Sequence, residues 1–287
     1  MRAVFLPMGT GAVARLTLGM TILVLGATGK TGRRVVARLR AEGVEVRAAS
    51  RSGETRFDWT DRGTWADAVR DVEAVYLVAS DDPEPTAAFV NEAVVAGVRR
   101  FVVLSGRGMD NVDGRFGAGM AEAERAVRAS GAEWTILRAN NFSQNFDEDL
   151  WHEPVLAGRL GLPAGELREP FVDLEDVAEI AVKVLTSAGH HGEIYNLSGP
   201  EALTFAEAVE VIAKVSGRTV SYDALTPAEY RAELLALGWP AEVADQLNGL
   251  FEIMLEGHLA TPADDIERLL GRPAGSFTAY VERVWAG

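Results

Sequence analysis

The passage that most constrains this chain is Thr21-Ile22-Leu23-Val24-Leu25-Gly26-Ala27-Thr28-Gly29-Lys30-Thr31-Gly32, followed by the amphipathic run Arg33–Glu42. An unbroken apolar, β-branched run bounded by glycine reads as a strand buried on both faces. The three glycines have separate roles. Gly26 turns the chain sharply off the strand, Gly29 lets backbone approach a ligand, and Gly32 allows the helix to pack closely on the strand. Amides at the helix start, with the positive end of its dipole, make the loop an anion site. A strand, a glycine turn and a helix in this order point to a dinucleotide pyrophosphate on a parallel α/β sheet.

The rest of the chain extends the pattern. Further buried strands are expected at Val44–Ala49, Ala74–Ala79, Phe101–Leu104 and Trp134–Leu137. Helical spacing fills Lys30–Glu42, Trp65–Asp71, Thr86–Ala96 and Gly119–Ser130, and Gly43, Gly97 and Gly131 stand where helix C-termini need a left-handed residue. The fold class is therefore α/β, a doubly wound parallel Rossmann sheet with a smaller helix-rich C-terminal lobe. We expect a Rossmann core over 20–150 and a C-terminal substrate lobe with returning core elements over 151–287. Residues 1–19 form an arm outside the core, because Pro7, Gly9, Gly11 and Arg15 break the apolar stretch that a signal peptide needs. In the C-terminal part, a helix is expected at Leu174–Leu185 and a strand at Glu193–Leu197. Helix starts are expected at Thr204…Glu207, Thr226…Glu229 and Thr261…Asp264, from their capping boxes.

The formal net charge is −14, so nucleic acid and anionic membrane are poor partners. No apolar run approaches the ~20 residues of a membrane span. The chain has no cysteine, which excludes disulfides and thiolate chemistry and fits a cytoplasmic protein. The four histidines lack metal-ligand spacing, so no metal is expected. An anionic cofactor then needs a local cation, and the second strand supplies one. Ser50-Arg51-Ser52 stands where an NAD-binding chain usually has Asp or Glu for the ribose 2′-hydroxyl. An arginine there pairs with a 2′-phosphate, so NADP(H) is favoured over NAD(H). Asp58 follows in a turn from which a carboxylate can meet the adenine amino group.

These residues, together with Leu104-Ser105, Ser130-Gly131-Ala132-Glu133-Trp134-Thr135-Ile136-Leu137-Arg138 and Phe171-Val172-Asp173-Leu174-Glu175-Asp176-Val177-Ala178, resemble the NmrA-like group. This is an atypical branch of the short-chain dehydrogenases/reductases, and the resemblance runs over roughly residues 20 to 285. It implies NAD(P)H lying across the sheet past Ala79, with nicotinamide near Ser105 and near Asn140-Asn141-Phe142. It also implies that Asp173–Asp176 ties the lobe to the sheet. Members of the group include quinone and aromatic reductases, redox sensors that bind cofactor without turnover, and polyketide-tailoring proteins that act beside an oxygenation step.

Ordinary short-chain dehydrogenases protonate the new alkoxide with a Tyr-x-x-x-Lys pair. None of Tyr76, Tyr195, Tyr222, Tyr230 or Tyr280 is followed four residues later by lysine. By the family pattern, Met120 takes the tyrosine's place and Glu124 the lysine's. Ketone reduction thereby loses an acid worth ~10²–10⁴-fold. Two readings stay open. One is a reductase of a quinone or polycyclic aromatic substrate of polyketide type, priming it for oxygen-dependent hydroxylation. Asn141, Asn145, Phe146, Trp151 and Phe171 would then contact this small aromatic substrate. The other is a sensor of NADP(H) that signals through a partner protein. Either is compatible with a monomer or a homodimer, and no catalytic residue is assigned.

Overall fold

The computed structural model describes residues 19–112 and 116–286, so the expected arm lies, apart from Gly19, outside the described residues. Its strands are β1 Thr21–Leu25, β2 Glu45–Ser50, β3 Thr55–Arg56, β4 Ala74–Val78, β5 Arg100–Gly106 and β6 Glu133–Ala139. These are followed by β7 Arg159–Leu162, β8 Arg168–Glu169, β9 Glu193–Leu197, β10 Leu203–Thr204 and β11 Ser221–Ala224. The helices are α1 Lys30–Ala41, α2 Trp65–Val69, α3 Glu84–Val95, α4 Ala118–Ala129, α5 His152–Leu156 and α6 Leu174–Thr186. After them come α7 Phe205–Ser216, α8 Pro227–Ala236, α9 Ala241–Leu255, α10 Asp265–Leu270 and α11 Phe277–Trp285.

Seven strands form one sheet in the order β3-β2-β1-β4-β5-β6-β9, and every pairing in it is parallel. The order runs outward in opposite directions from β1 and β4. A crevice at the C-terminal ends of these two strands is where such sheets bind ligands. Both faces are covered, which explains why the strand sequences are continuously apolar. Ile22 and Val24 face α1 and α6, packing with Val35, Leu39, Val177 and Ile180. Leu23 and Leu25 face the other side, with Trp65, Phe89, Phe101 and Ala123.

A separate apolar cluster fills the C-terminal lobe around Phe146, Phe171, Phe205, Phe251 and Phe277. Two of the expected capping boxes are complete, at Thr204–Glu207 and Thr226–Glu229. The third is a correction: α10 starts at Asp265 after an Asp264 N-cap, not at Thr261. The Ser198 hydroxyl accepts from the Ala263 amide, so this stretch is tied to the end of β9 instead of starting a helix. The Asp173–Asp176 tie is present. Asp173 caps α6 at the Glu175 amide and meets Arg283 of α11 at 2.7 Å, while Asp176 accepts from the Gly275 amide and Arg272.

No described helix is long and apolar enough to cross a membrane.

Candidate functional site

At the end of β1, Gly26 takes φ +63°, and its carbonyl accepts from the Gly29 amide at 2.8 Å. A Cβ on Gly32 would lie 2.2 Å from that same carbonyl oxygen, so α1 packs against the turn closer than any side chain allows. Gly29 is the helix N-cap and offers no side chain as an acceptor. The first helical bond is Arg33 N–H to the Gly29 carbonyl, which leaves the amides of Lys30, Thr31 and Gly32 without helical acceptors. The first turn carries no acidic residue to compete for them. Thr28 is exposed over the loop, and Thr31 is buried beneath it. Ala79, half-buried, follows the end of β4 on the far side of the switch point.

Beside the loop, Ala27 N–H donates to the Ala49 carbonyl, which sets the end of β2 against it. Arg51 is exposed there and enters no ion pair among the described residues. The Ser50 hydroxyl is buried without a hydrogen-bond partner, unusual for a buried polar group outside a binding site. Asp58 Oδ1 accepts from the amide and hydroxyl of Thr60, and these bonds, with the nearby Arg51 and Arg56, hold its carboxyl below the usual range.

At the ends of β5 and β6 the polar groups form two networks. In the first, Glu124 of α4 is buried and accepts four hydrogen bonds. Ser105 Oγ donates at 2.7 Å, Arg138 Nε and Nη2 at 2.9 and 2.8 Å, and Arg128 Nη2 at 2.8 Å. Arg138 also reaches Asp110 through both terminal nitrogens. A serine has one hydroxyl proton, and Ser105 gives it to Glu124, so toward a ligand its oxygen can only accept. Met120 supplies no donor; its thioether and methyl pack near Gly106 and Gly117, beside Met109. In the second network, Arg107 Nη1 donates to Asn140 Oδ1 at 2.9 Å. Asn140 Nδ2 donates to Glu169 Oε1 at 2.8 Å, and the Asn141 amide adds a bond to that oxygen at 2.9 Å. Glu169 is fully buried, its Oε2 has no partner, and burial pushes its carboxyl up.

The residues expected near nicotinamide and substrate divide into two sets. Asn140 is buried with its amide engaged by Arg107 and Glu169. Asn141 and Phe142 are half-buried at the end of the sheet. Phe142 lies under the Lys30 ammonium, 5.5 Å from the ring centroid, and Lys30 Nζ donates to Asn145 Oδ1 at 2.8 Å and pairs with Asp149. The phosphate loop and the 140–149 segment are thus joined directly. Phe146, Trp151 and Phe171 are placed differently from the expected stacking surface. They are 0%, 4% and 1% exposed and pack edge-on against one another and Phe205, so no ring face is open to a ligand. Asp147, Glu148 and Asp149 do not simply face solvent. Tyr280 donates to Asp147, Glu148 meets Arg33 and Arg34, and Asp149 meets Lys30, which latches the segment onto α1. Arg107 and Glu169 escaped the sequence reading. The signal for Arg107 was a charged residue between Gly106 and Gly108 at a strand end; Glu169 gave none.

Among known proteins, the description "NAD(P)H-binding" fits residues 26–188. The (4-alkanoyl-5-oxo-2,5-dihydrofuran-3-yl)methyl phosphate reductase of Streptomyces griseus is 35% identical over 271 residues, 89% of this chain and 95% of that protein. The NAD(P)H azoreductase of Xenophilus azovorans is 29% identical over 279 residues, 91% of this chain and 96% of its own. The NADPH complex of an Escherichia coli NADPH-dependent quinone oxidoreductase has the same fold. Its TM-score is 0.75 at 24% identity, covering 92% of this chain and 99% of that one. The chain belongs to the NAD(P)H-binding family. It is an NAD(P)H-dependent oxidoreductase.

Proposed function

We propose that this chain passes hydride from NADPH to a planar, conjugated acceptor of the quinone class. Polycyclic hydroxyquinones of polyketide type are included, and their reduction would prime the ring for reaction with oxygen. The observation that carries this reading is that, of the described residues, the two standing where the family's acid would act, Met120 and Ser105, have no proton to give. Met120 has none, and Ser105 gives its only hydroxyl proton to Glu124. An alkoxide would need such a donor. A quinone does not, because hydride addition leaves a delocalised phenolate that takes its proton from solvent. Placement of the two rings then supplies the acceleration, for which proximity is worth ~7–11 kcal/mol. The azo and unsaturated-furanone acceptors named for the relatives are likewise conjugated. The nicotinamide carboxamide would donate to the free lone pairs of Ser105, and the pyrophosphate would take the amides of Lys30, Thr31 and Gly32. Asn141, half-buried beside Met254, and Asn145, bonded to Lys30, remain residues proposed to line the acceptor, and Phe142, under the Lys30 ammonium, is proposed to join them.

The test is anaerobic loss of nicotinamide absorbance with naphthoquinones and anthraquinones, alongside simple ketones. Turnover confined to the quinones is expected. Tight NADPH binding without turnover of any conjugated acceptor overturns the proposal.

The 2′-phosphate would lie between Arg51 and the buried, unpartnered Ser50 hydroxyl. Arg51→Ala is expected to weaken NADPH binding by about 1.5–3 kcal/mol, the worth of a hydrogen bond to a charged group, with a much smaller loss for NADH. Calorimetry with both cofactors checks it, and equal losses would remove Arg51 from the phosphate site.

A further inference from the structure

We propose that Arg107 is a specificity-determining residue that binds an oxyanion substituent, a carboxylate, sulfonate or phosphate, on the acceptor. This rests on the reductase reading above. Arg107 directly follows β5, and its amide donates to the Ala139 carbonyl at 2.9 Å, so it is fixed at the C-terminal edge of the sheet's two adjacent strands. The neighbouring glycines are closely overlain by apolar side chains. Met109 and Met120 lie near Gly106, and Leu259 lies so close to Gly108 that a Cβ there would be 2.7 Å from its Cδ2. Arg107 thus stands where the C-terminal lobe meets the sheet edge, with thioether and aliphatic groups over its neighbouring glycines and Asn140 on its other side.

In a chain of net charge −14, several buried or half-buried arginines find carboxylates: Arg34 meets Glu148, Arg100 meets Glu133, and Arg138 meets Glu124. Arg107 is half-buried and has no carboxylate within ion-pair reach among the described residues. Its side chain makes one hydrogen bond, to the neutral amide oxygen of Asn140. Burial holds its guanidinium below the ordinary arginine range. Glu169 and Asp265 both favour the Arg107 charge, but neither lies within ion-pair distance; Glu169 is linked to it through Asn140, and burial favours the uncharged form of its carboxyl. A cation kept partly out of water, whose direct contact is a neutral amide oxygen, retains guanidinium N–H groups for an incoming anion. Oxyanions match that fork in a way that a neutral ring oxygen does not.

Direct binding separates this proposal from turnover. The NADP⁺-loaded protein is titrated calorimetrically with naphthalene-2-sulfonate and with its neutral isostere naphthalene-2-sulfonamide, neither of which accepts hydride. The sulfonate is expected to bind about tenfold or more tightly, the lower end of the range for a charged hydrogen bond. Arg107→Gln is expected to bring the two affinities together, and Arg107→Lys to keep part of the difference. With 1,2-naphthoquinone-4-sulfonate and 1,2-naphthoquinone as substrates, the KM ratio should collapse in the same way in Arg107→Gln. Equal affinity for the two ligands in the unsubstituted protein overturns the proposal, and that measurement does not depend on the folding of any variant. A loss of NADPH affinity in Arg107→Gln as large as the sulfonate loss also overturns it, by assigning the guanidinium to the cofactor. Sulfonate preference without quinone turnover supports the anion site while the reductase proposal fails.

Discussion

Gly32→Ala is expected to weaken NADPH binding by a factor on the order of 10²–10⁴. The added methyl would sit 2.2 Å from the Gly26 oxygen, 2.7 Å from the Gly26 carbonyl carbon and 3.0 Å from the Ala27 Cα. All three are backbone atoms, so no rotamer relieves the overlap. Either α1 moves off the sheet or the turn opens, and each displaces the amides of Lys30, Thr31 and Gly32 from a common point. Losing two amide bonds to a charged phosphate costs ~3–6 kcal/mol at about 1.5–3 kcal/mol each. Overpacking the interior adds about 1–3 kcal/mol of lost stability. The check is calorimetric titration with NADPH alongside the melting temperature. An affinity within threefold of the parent would show that these amides do not hold the cofactor. Gly29→Ala serves as the contrast. Its Cβ would lie 3.2 Å from the Gly26 oxygen, tight but not overlapping, so a smaller loss is expected.

That contrast shows why the phosphate loop could be read from sequence and the other end of the site could not. The loop is built within one stretch from Thr21 to Glu42, so spacing alone fixes which glycine faces which atom. The two complete capping boxes, at Thr204 and Thr226, are local in the same sense. Thr261 carries the same local signal, yet the Ala263 amide just after it is tied to Ser198, sixty-five positions from Ala263 in sequence. The polar networks are non-local too. Glu169 reaches Asn140 across 29 positions, and Leu259 accepts from Asn140 across 119. The aromatic run after Asn140 misled for a related reason. Phe146, Trp151 and Phe171 have the composition of a stacking surface, but Phe205 and Phe277 from distant helices close over them. Composition does not tell which face of an apolar segment another element will cover.

The same distinction bears on the residue that stands where the family has its lysine. Glu124 was legible as a departure from the pattern, but its role appears only once Ser105, Arg128 and Arg138 are seen converging on it. The Glu124 and Arg138 side chains are 6% and 7% exposed. The carboxylate raises the Arg138 pKa above the usual arginine value. Glu124→Ala is therefore expected to destabilise the fold by about 3 kcal/mol, the lower end of the cost of breaking a buried ion pair, because Arg138 keeps its bonds to Asp110. In a protein of this size that corresponds to a fall in Tm of roughly 6–12 °C, at about 2–4 °C per kcal/mol. Removing both charges in Glu124→Leu/Arg138→Met should recover much of the loss, because the penalty lies in a buried guanidinium left with Asp110 alone rather than in the pair's net worth. The double variant also releases the Ser105 hydroxyl proton, so Ser105 could donate instead of only accept. Thermal unfolding of the single and double variants decides the stability claim: additive losses would show that Glu124 and Arg138 act independently. If the bond to Glu124 is what keeps Ser105 an acceptor for the carboxamide, the double variant, though folded, will bind NADPH more weakly than the parent.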